Sequence, residues 1–514
     1  MLYVIYGGEL LMSFKVAFIG AGSITFTRKL LQDLLSVPEF RDIEVAFTDI
    51  NQQNLDMVTK LCQRDIDANG IAVKIQPTLD RREAFRDAKY VINAVRIGGL
   101  EAFEMDVDIP LKYGVDQCVG DTLCAGGIMY GQRGIAAVLE FCKDIREVAK
   151  PDCLMLNYAN PNAMMTWACN KYGGVNTIGL CHGVQGGHHV IAHLLGLEKK
   201  EVDIICAGIN HQTWYVQVRY NGEDMTGRLL EAFEKHALLS DMEKVRIDML
   251  RRFGYFSTES NGHLSEYVAW YRKRPDEIKD WIAPGWINGE TGGYLRDCQE
   301  NRNWFETEFP IWMKEEPVKF SPELRSEEHG SYIIEGLETG RVYRGHFNVV
   351  NRGAITNLPA DAIVEVPGYV DGNGVSIPIV GDLPLGCAAV CNSSISVQRL
   401  AVEAAVHGDK ELLCQAMMMD PLTGAVCNPP EIWQLVDEML VAQAEWLPQY
   451  EEAIQAAKKR LASGNLLPTK ENYRGAVRRD ARPYSEVAEE RERRKSFANI
   501  GEYFKKGSKA DVGD

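Results

Sequence analysis

From position 15 the chain reads KVAFIGAGSITFTRKLLQDLL: an apolar run of strand length, a glycine turn, then apolar residues at helical spacing. The unit recurs. IEVAFTDI at 43–50 reads as a second strand, NLDMVTKLCQRDI as a helix and AVKIQ as a further strand; YVINAV at 90–95 is another, ending in Ile-Gly-Gly. GIAAVLEFCKDIREVA then predicts a helix, and CLMLNYANP and TIGLCHG each predict a strand closed by a turn. Strands alternating with helices predict an α/β chain built on a Rossmann-type, doubly wound parallel sheet.

Beyond about 200 the alternation loosens. TWYVQVRY and AIVEVPGYV read as strands and VQRLAVEAAVHG as a helix, which predicts a second, α+β domain over 201–450. The segment 451–514 is dense in charge and poor in large apolar residues (EEAIQAAKKRLASG, EVAEERERRKSF), the pattern of an exposed helical or partly disordered extension. At the other end, Gly7-Gly8-Glu9 is a tripeptide that a purine-rich ribosome-binding sequence encodes, with Met12 close behind. Residues 1–11 therefore read as translated leader with Met12 as the true start, which sets 1–12 apart and begins the folded chain at 13.

A chain of 514 residues exceeds what one hydrophobic core usually serves, in keeping with two domains. The net charge of −16 disfavours nucleic acid and anionic membrane as partners, and no stretch is long and apolar enough to span a bilayer. Thirteen scattered cysteines with no Cys-x-x-Cys pair suit reduced thiols in the cytoplasm. A small-molecule ligand is the expectation.

GAGSIT at 20–25 supplies Gly20 and Gly22 of a dinucleotide-binding turn, with Ser23 opening the helix and Thr25 in place of a third glycine. The two glycines permit a tight turn and close approach of backbone to a pyrophosphate seated on a helix N-terminus. Asp49, ending the second strand, is placed to accept from adenosine ribose hydroxyls and to repel a 2′-phosphate, which favours NAD over NADP. Residues 13–200 thus read as an NAD-binding domain.

Four more motifs sit at predicted strand or turn ends: GDTLCAGGI at 120–128, NYANP at 157–161, GLCHGV at 179–184 and AGINH at 207–211. In an open α/β sheet such loops gather about one crevice. Cys181 and His211 offer a thiolate and an imidazole to a divalent metal with positions open to substrate. Both types also occur as inert core cysteine and hydrogen-bonded structural histidine, so spacing leaves the two readings open.

The ordered set GAGSITF, NAVRIGG, GDTLCAGGI, NYANPNAM, GLCHGVQG, AGINH, GYFSTES, ITNLPADAIVEVP and AEWLP resembles glycoside hydrolase family 4, and most of all its α-galactosidase branch, over about 14–450. That resemblance implies a fold similar to lactate and malate dehydrogenases, NAD with Mn²⁺ or another divalent metal, and Cys181 and His211 as the metal ligands. It also implies a route in which C3 of the sugar is oxidised, C2 deprotonated, the aglycone eliminated from C1, water added and C3 reduced again. In this scheme Tyr267 of HLSEYVAWY is the C2 base and His182 the general acid. Asp121 lies in the sugar pocket, and Asn160 and Arg133 bind the substrate.

The family's α-galactosidases typically carry Cys-His-Ser-Val where this chain has Cys181-His182-Gly183-Val184, a sequence that resembles the α-glucuronidases instead. The glycine-rich loop GGIMYGQRG places Tyr130 where arginine is common and keeps Arg133, a cation suited to a uronate. The expected substrate is an unphosphorylated α-galactoside, with an α-glucuronide as the alternative and an NAD-dependent sugar dehydrogenase as the competing class. A homodimer or homotetramer is the expected assembly.

Overall fold

The computed structural model describes residues 3–6, 9–301, 305–470 and 477–495. Its strands, in chain order, are β1 (Tyr3–Tyr6), β2 (Glu9–Met12), β3 (Lys15–Ile19), β4 (Glu44–Thr48), β5 (Ile75–Thr78), β6 (Tyr90–Asn93), β7 (Leu154–Asn157), β8 (Thr177–Gly179), β9 (Val202–Ile209), β10 (Gln212–Tyr220), β11 (Glu223–Asp224), β12 (Phe256–Ser257), β13 (Tyr343–Val350), β14 (Ile363–Asp371) and β15 (Gly374–Ser376). β1 and β2 pair only with each other. Gly7 and Gly8, on which the leader reading turns, lie outside the described residues.

The other strands form one sheet in the order β11-β10-β9-β14-β13-β8-β7-β6-β3-β4-β5, with β12 on β10 and β15 on β14. From β5 to β8 every pairing is parallel; from β8 outward it is antiparallel. The parallel half is the doubly wound arrangement the periodicity predicts, and its inner strands β3, β6 and β7 are buried on both faces, as the unbroken apolar run Val16–Ile19 requires. Because side chains alternate, Ala17, Val91 and Met155 face one layer, and Phe18, Ile92 and Leu156 the other. The helices Cys124–Val148 and Leu385–His407 cover the first face, and Ile24–Leu35, Gln52–Ala68 and His329–Thr339 the second.

Two features of the pattern reading change. The second domain does not stand apart as a lobe: β13 pairs with β8, so its strands extend the first domain's sheet, and Leu385–His407 packs in the core that holds Ile128 and Met155. The charged extension is docked where it is described. Helix Glu451–Ala462 buries Ile454 and Ala457, and Arg460 pairs with Asp437 at 2.6 Å. Further on, Arg478 reaches Glu104 at 2.8 Å and Arg482 reaches Glu300 at 2.7 Å. Sparse apolar residues at helical spacing and long arginine stems suffice for such docking. Residues 496–514 of the extension lie outside the described part.

Among the described residues no helix is long and apolar enough to cross a membrane, and all thirteen cysteines are free.

Candidate active site

β3 sits between β4 and β6, and the chain leaves it first toward one neighbour and later returns on the other side. At this switch the loops after β3 and β6 diverge and leave a crevice. A cleft of about 1390 Å³ opens there. It runs from Gly20, Gly22, Ser23 and Asp49 at one end to Asp121, Asn160, Cys181, His182 and His211 at the other.

The nucleotide end is built from neighbouring strand ends. Gly20 has φ +81°, and a Cβ there would lie 3.0 Å from the Ala94 backbone, so β3 and β6 can close up only over a glycine. A Cβ on Gly22 would meet Asp49 Oδ2 at 2.7 Å. The Gly22 N–H instead donates to that oxygen at 2.8 Å, and the Asn51 N–H donates to Oδ1 at 2.9 Å. Asp49 is thereby fixed just beyond β4 with lone pairs left for ribose hydroxyls. Ser23 caps Ile24–Leu35 without a side-chain capping bond, leaving its hydroxyl and the helix N-terminus to face an anion. These features fit a dinucleotide.

The opposite end is assembled from greater distances. Cys181 follows β8, and His211 occupies the turn between β9 and β10 at φ +62°, a left-handed conformation that costs a non-glycine residue free energy and concentrates at functional sites. Glu259, which the sequence reading passed over, joins them: its Oε1 lies 3.3 Å from Cys181 Sγ and 3.7 Å from His211 Nε2. The three ligand atoms all fall within 4.8 Å of one another, a separation that fits a divalent cation. The pairing of β12 with β10 holds Glu259 there, continued by the Thr258 N–H donating to Thr213 O at 2.9 Å. The only sequence signal was an acid inside GYFSTES.

A hydrogen-bond relay orients His211. Thr122 Oγ1 donates to Asp121 Oδ1 at 2.7 Å, which leaves the Thr122 oxygen to accept Nδ1–H of His211 at 3.1 Å. That assignment puts the lone pair on Nε2, toward Glu259 and Cys181, as metal ligation needs. Asp121 also accepts from Asn160 Nδ2 at 2.9 Å, so the two predicted sugar-pocket residues stand together on the cleft wall. Glu266 fixes the approach to Asp121 by accepting from the backbone N–H groups of Cys118, Val119 and Gly120 at 2.6, 2.9 and 3.1 Å. Burial pushes its carboxyl up to about 7, against those three bonds.

Tyr267 is almost fully buried, and its hydroxyl lies 3.5 Å from His211 Nδ1. Burial, then the charges of Glu266 and Asp121, push its phenol well above the usual tyrosine range. The Cys181 thiol is likewise pushed up by burial and by Glu259 and Glu365. Such a thiol becomes a ligand only when a cation compensates its charge. His182 caps the helix Gly183–Leu195 with its ring exposed to the cleft, Nδ1 3.9 Å from Glu328 Oε1.

Arg133 does not reach the cleft wall. Its guanidinium is fully buried, paired with Asp106 at 2.6 Å, donating also to Gln443 Oε1 and to Ile97 O, and stacked on Tyr130. Every nitrogen is taken, so the predicted substrate contact is corrected to a support behind Tyr130. A cation that does line the cleft is Arg96, whose Nη1 is buried without a hydrogen-bond partner beside Tyr130 and Tyr294. Nor is GGIMYGQRG a loop. It lies in the helix Cys124–Val148, where Cβ atoms on Gly126 and Gly127 would strike the backbone of Gly120 at 2.7 Å and of Thr122 at 2.4 Å.

Residues 15–197 match the family 4 glycosyl hydrolases, and residues 206–423 match the family 4 glycosyl hydrolase C-terminal domain. The chain belongs to glycosyl hydrolase family 4. Within it, an α-galactosidase of Rhizobium meliloti is 58% identical over 482 residues, covering 93% of this chain and 98% of that one. An α-galactosidase of Bacillus subtilis is 34% identical over 442 residues, covering 85% and 99%. A 6-phospho-α-glucosidase from gut microorganisms, solved in complex with NAD and glucose-6-phosphate, superposes with a TM-score of 0.70 at 27% identity, covering 85% of this chain and 100% of that one. The family 4 assignment agrees with the cleft, where a dinucleotide turn and a cation cluster share one crevice.

Proposed function

We propose that this chain is an α-galactosidase that requires NAD and Mn²⁺ or another divalent cation, and that it acts on unphosphorylated α-galactosides. The observation that carries the reading is that Cys181 and His211, which cluster with Glu259, line the same cleft as Gly20, Gly22 and Asp49. The galactoside preference rests on the 58% identical relative.

When bound, NAD and the cation supply a hydride acceptor and a Lewis acid. Gly20, Gly22 and Ser23 hold the pyrophosphate and Asp49 the ribose; Cys181 and His211 hold the cation. Asn160 and Asp121 orient the hydroxyls on C2 and C3. Tyr267 takes the C2 proton, and His182, the exposed ring of the group, gives a proton to the departing oxygen at C1. Residues 13–200 form the NAD-binding domain and 201–450 the part that completes the metal and substrate site. Free buried thiols support a cytoplasmic enzyme, and family resemblance supports a homodimer or homotetramer.

A second reading, hydrolysis of an α-glucuronide, is favoured by the unpartnered Arg96 nitrogen, which suits a carboxylate. Nitrophenol release from α-galactoside and α-glucuronide, with NAD⁺, Mn²⁺ and a thiol reductant and then with each omitted, tests both. Turnover that fails without NAD⁺ or Mn²⁺ is expected, faster on the galactoside. Accumulation of free NADH with a plain sugar, and no nitrophenol from either glycoside, would make the chain a dehydrogenase.

A further inference from the structure

The geometry points to Glu259 as a third protein ligand of the cation, with Gly183 as the residue that makes room for it. This rests on the metal-dependent reading above and adds to it a ligand and a reason for the Cys-His-Gly sequence.

Glu259 is an acid that, among the described residues, has histidines beside it and no lysine or arginine to pair with. Among the described residues its ion-pair partners are His211 at 3.7 Å and His263 at 3.8 Å, and no lysine or arginine stands within reach. A largely buried carboxylate in that position calls for a cation. Its Oε1 already lies among the ligand atoms of Cys181 and His211.

Gly183 supplies the second observation. A Cβ built there would lie 1.9 Å from Glu259 Oε1 and 2.7 Å from its carboxyl carbon, well inside van der Waals contact. The backbone at 183 has no positive φ, so conformation does not demand glycine at this first helical position. The carboxylate beside it gives the reason for glycine there. Its N–H, donating to Cys181 Sγ at 3.3 Å, would be available from any residue but proline. Gly183 thus marks the cation site and does not mark a preference for acidic sugars.

The donor chemistry follows. Thiolate and imidazole alone form a soft to borderline pair, whereas an added carboxylate oxygen brings a hard donor and a second negative charge, shifting selectivity toward an ion such as Mn²⁺. Three protein ligands still leave positions for substrate oxygens.

The test is Mn²⁺ affinity, read from the electron paramagnetic resonance of the free ion, on the full chain with NAD⁺ present. Glu259→Gln, close in shape, is expected to weaken Mn²⁺ by at least about tenfold and Zn²⁺ by less. It should leave the near-ultraviolet thiolate band of the Co²⁺ form, which Cys181→Ser removes. Gly183→Ser is expected to weaken Mn²⁺ similarly, with little further loss when both changes are combined. Wild-type chain that binds Mn²⁺ while Glu259→Gln stays within twofold of it would overturn this inference alone. Wild-type chain that binds no divalent ion would overturn the metal-dependent reading with it. Undiminished loss from Gly183→Ser in the Glu259→Gln background would sever Gly183 from the carboxylate. NAD⁺ affinity and thermal unfolding check each variant's fold, and Glu259→Gln decides the ligand role if Gly183→Ser fails to fold.

Discussion

At one end of the cleft Gly22 and Asp49, 27 positions apart, follow the adjacent parallel strands β3 and β4 and meet where the Gly22 N–H donates to the Asp49 carboxylate. At the other, Cys181 and Glu259 are 78 positions apart, and β8, the β9–β10 turn and the β12 pairing each bring in one residue. The first end needs only a strand, a turn and a helix in sequence. The second exists only because β13 joins an antiparallel half-sheet to β8. A local unit tolerates change elsewhere, whereas a site drawn from several elements fails when any one of them shifts.

The sharpest separation of the two ends comes from Cys181→Ser. It should abolish turnover, a loss of several kcal/mol in transition-state stabilisation, while leaving NADH affinity by fluorescence titration near its original value. Retained turnover with undiminished metal dependence would sink the ligand role. Next, Tyr267→Phe should lower kcat by roughly 10²- to 10⁴-fold and slow exchange of the sugar's C2 hydrogen in deuterated water. An unchanged exchange rate removes Tyr267 as the base.

Arg133→Met tests whether the support behind the sugar pocket is structural. Leaving Asp106 buried and unpaired should cost about 3–5 kcal/mol of stability in a denaturant titration, with a smaller effect on KM. A large rise in KM at unchanged stability would return Arg133 to substrate binding. Gly22→Ala places a methyl against Asp49 and should weaken NAD⁺ by about 1.5–3 kcal/mol, the worth of a hydrogen bond to a charged group, without altering Mn²⁺ affinity. Equal loss at both ends would show that they are coupled.

The smallest effect lies outside the cleft, on the metal-bearing loop's helix. Burial lowers His188 to about 4, while its ring donates to Val202 O at 2.7 Å. A depressed pKa means that the neutral ring stabilises the fold fully above pH 6.5, and that this contribution is lost as pH falls toward 4. His188→Gln should therefore flatten the fall of thermal stability between pH 6.5 and 4, and an unchanged slope would assign that fall to other groups.

Much of the nucleotide end was legible in the chain itself. Unbroken apolar runs and apolar spacing of period 3.6 marked the parallel strands and their helices; Gly20, Gly22 and Asp49 stood out because the turn and the next strand end are set by neighbouring residues. The order of the motifs carried the family, and with it Cys181 and His211. What the tertiary structure alone decided is which distant groups meet. Glu259 entered the cation cluster through strand pairing, Arg133 left the substrate for Asp106, and Gly183 acquired its meaning from a carboxylate 76 positions further along the chain. The physical reason is that these contacts depend on sheet register and side-chain packing between remote elements, and no local spacing encodes a collision between a missing Cβ and an acid that folding brings to it.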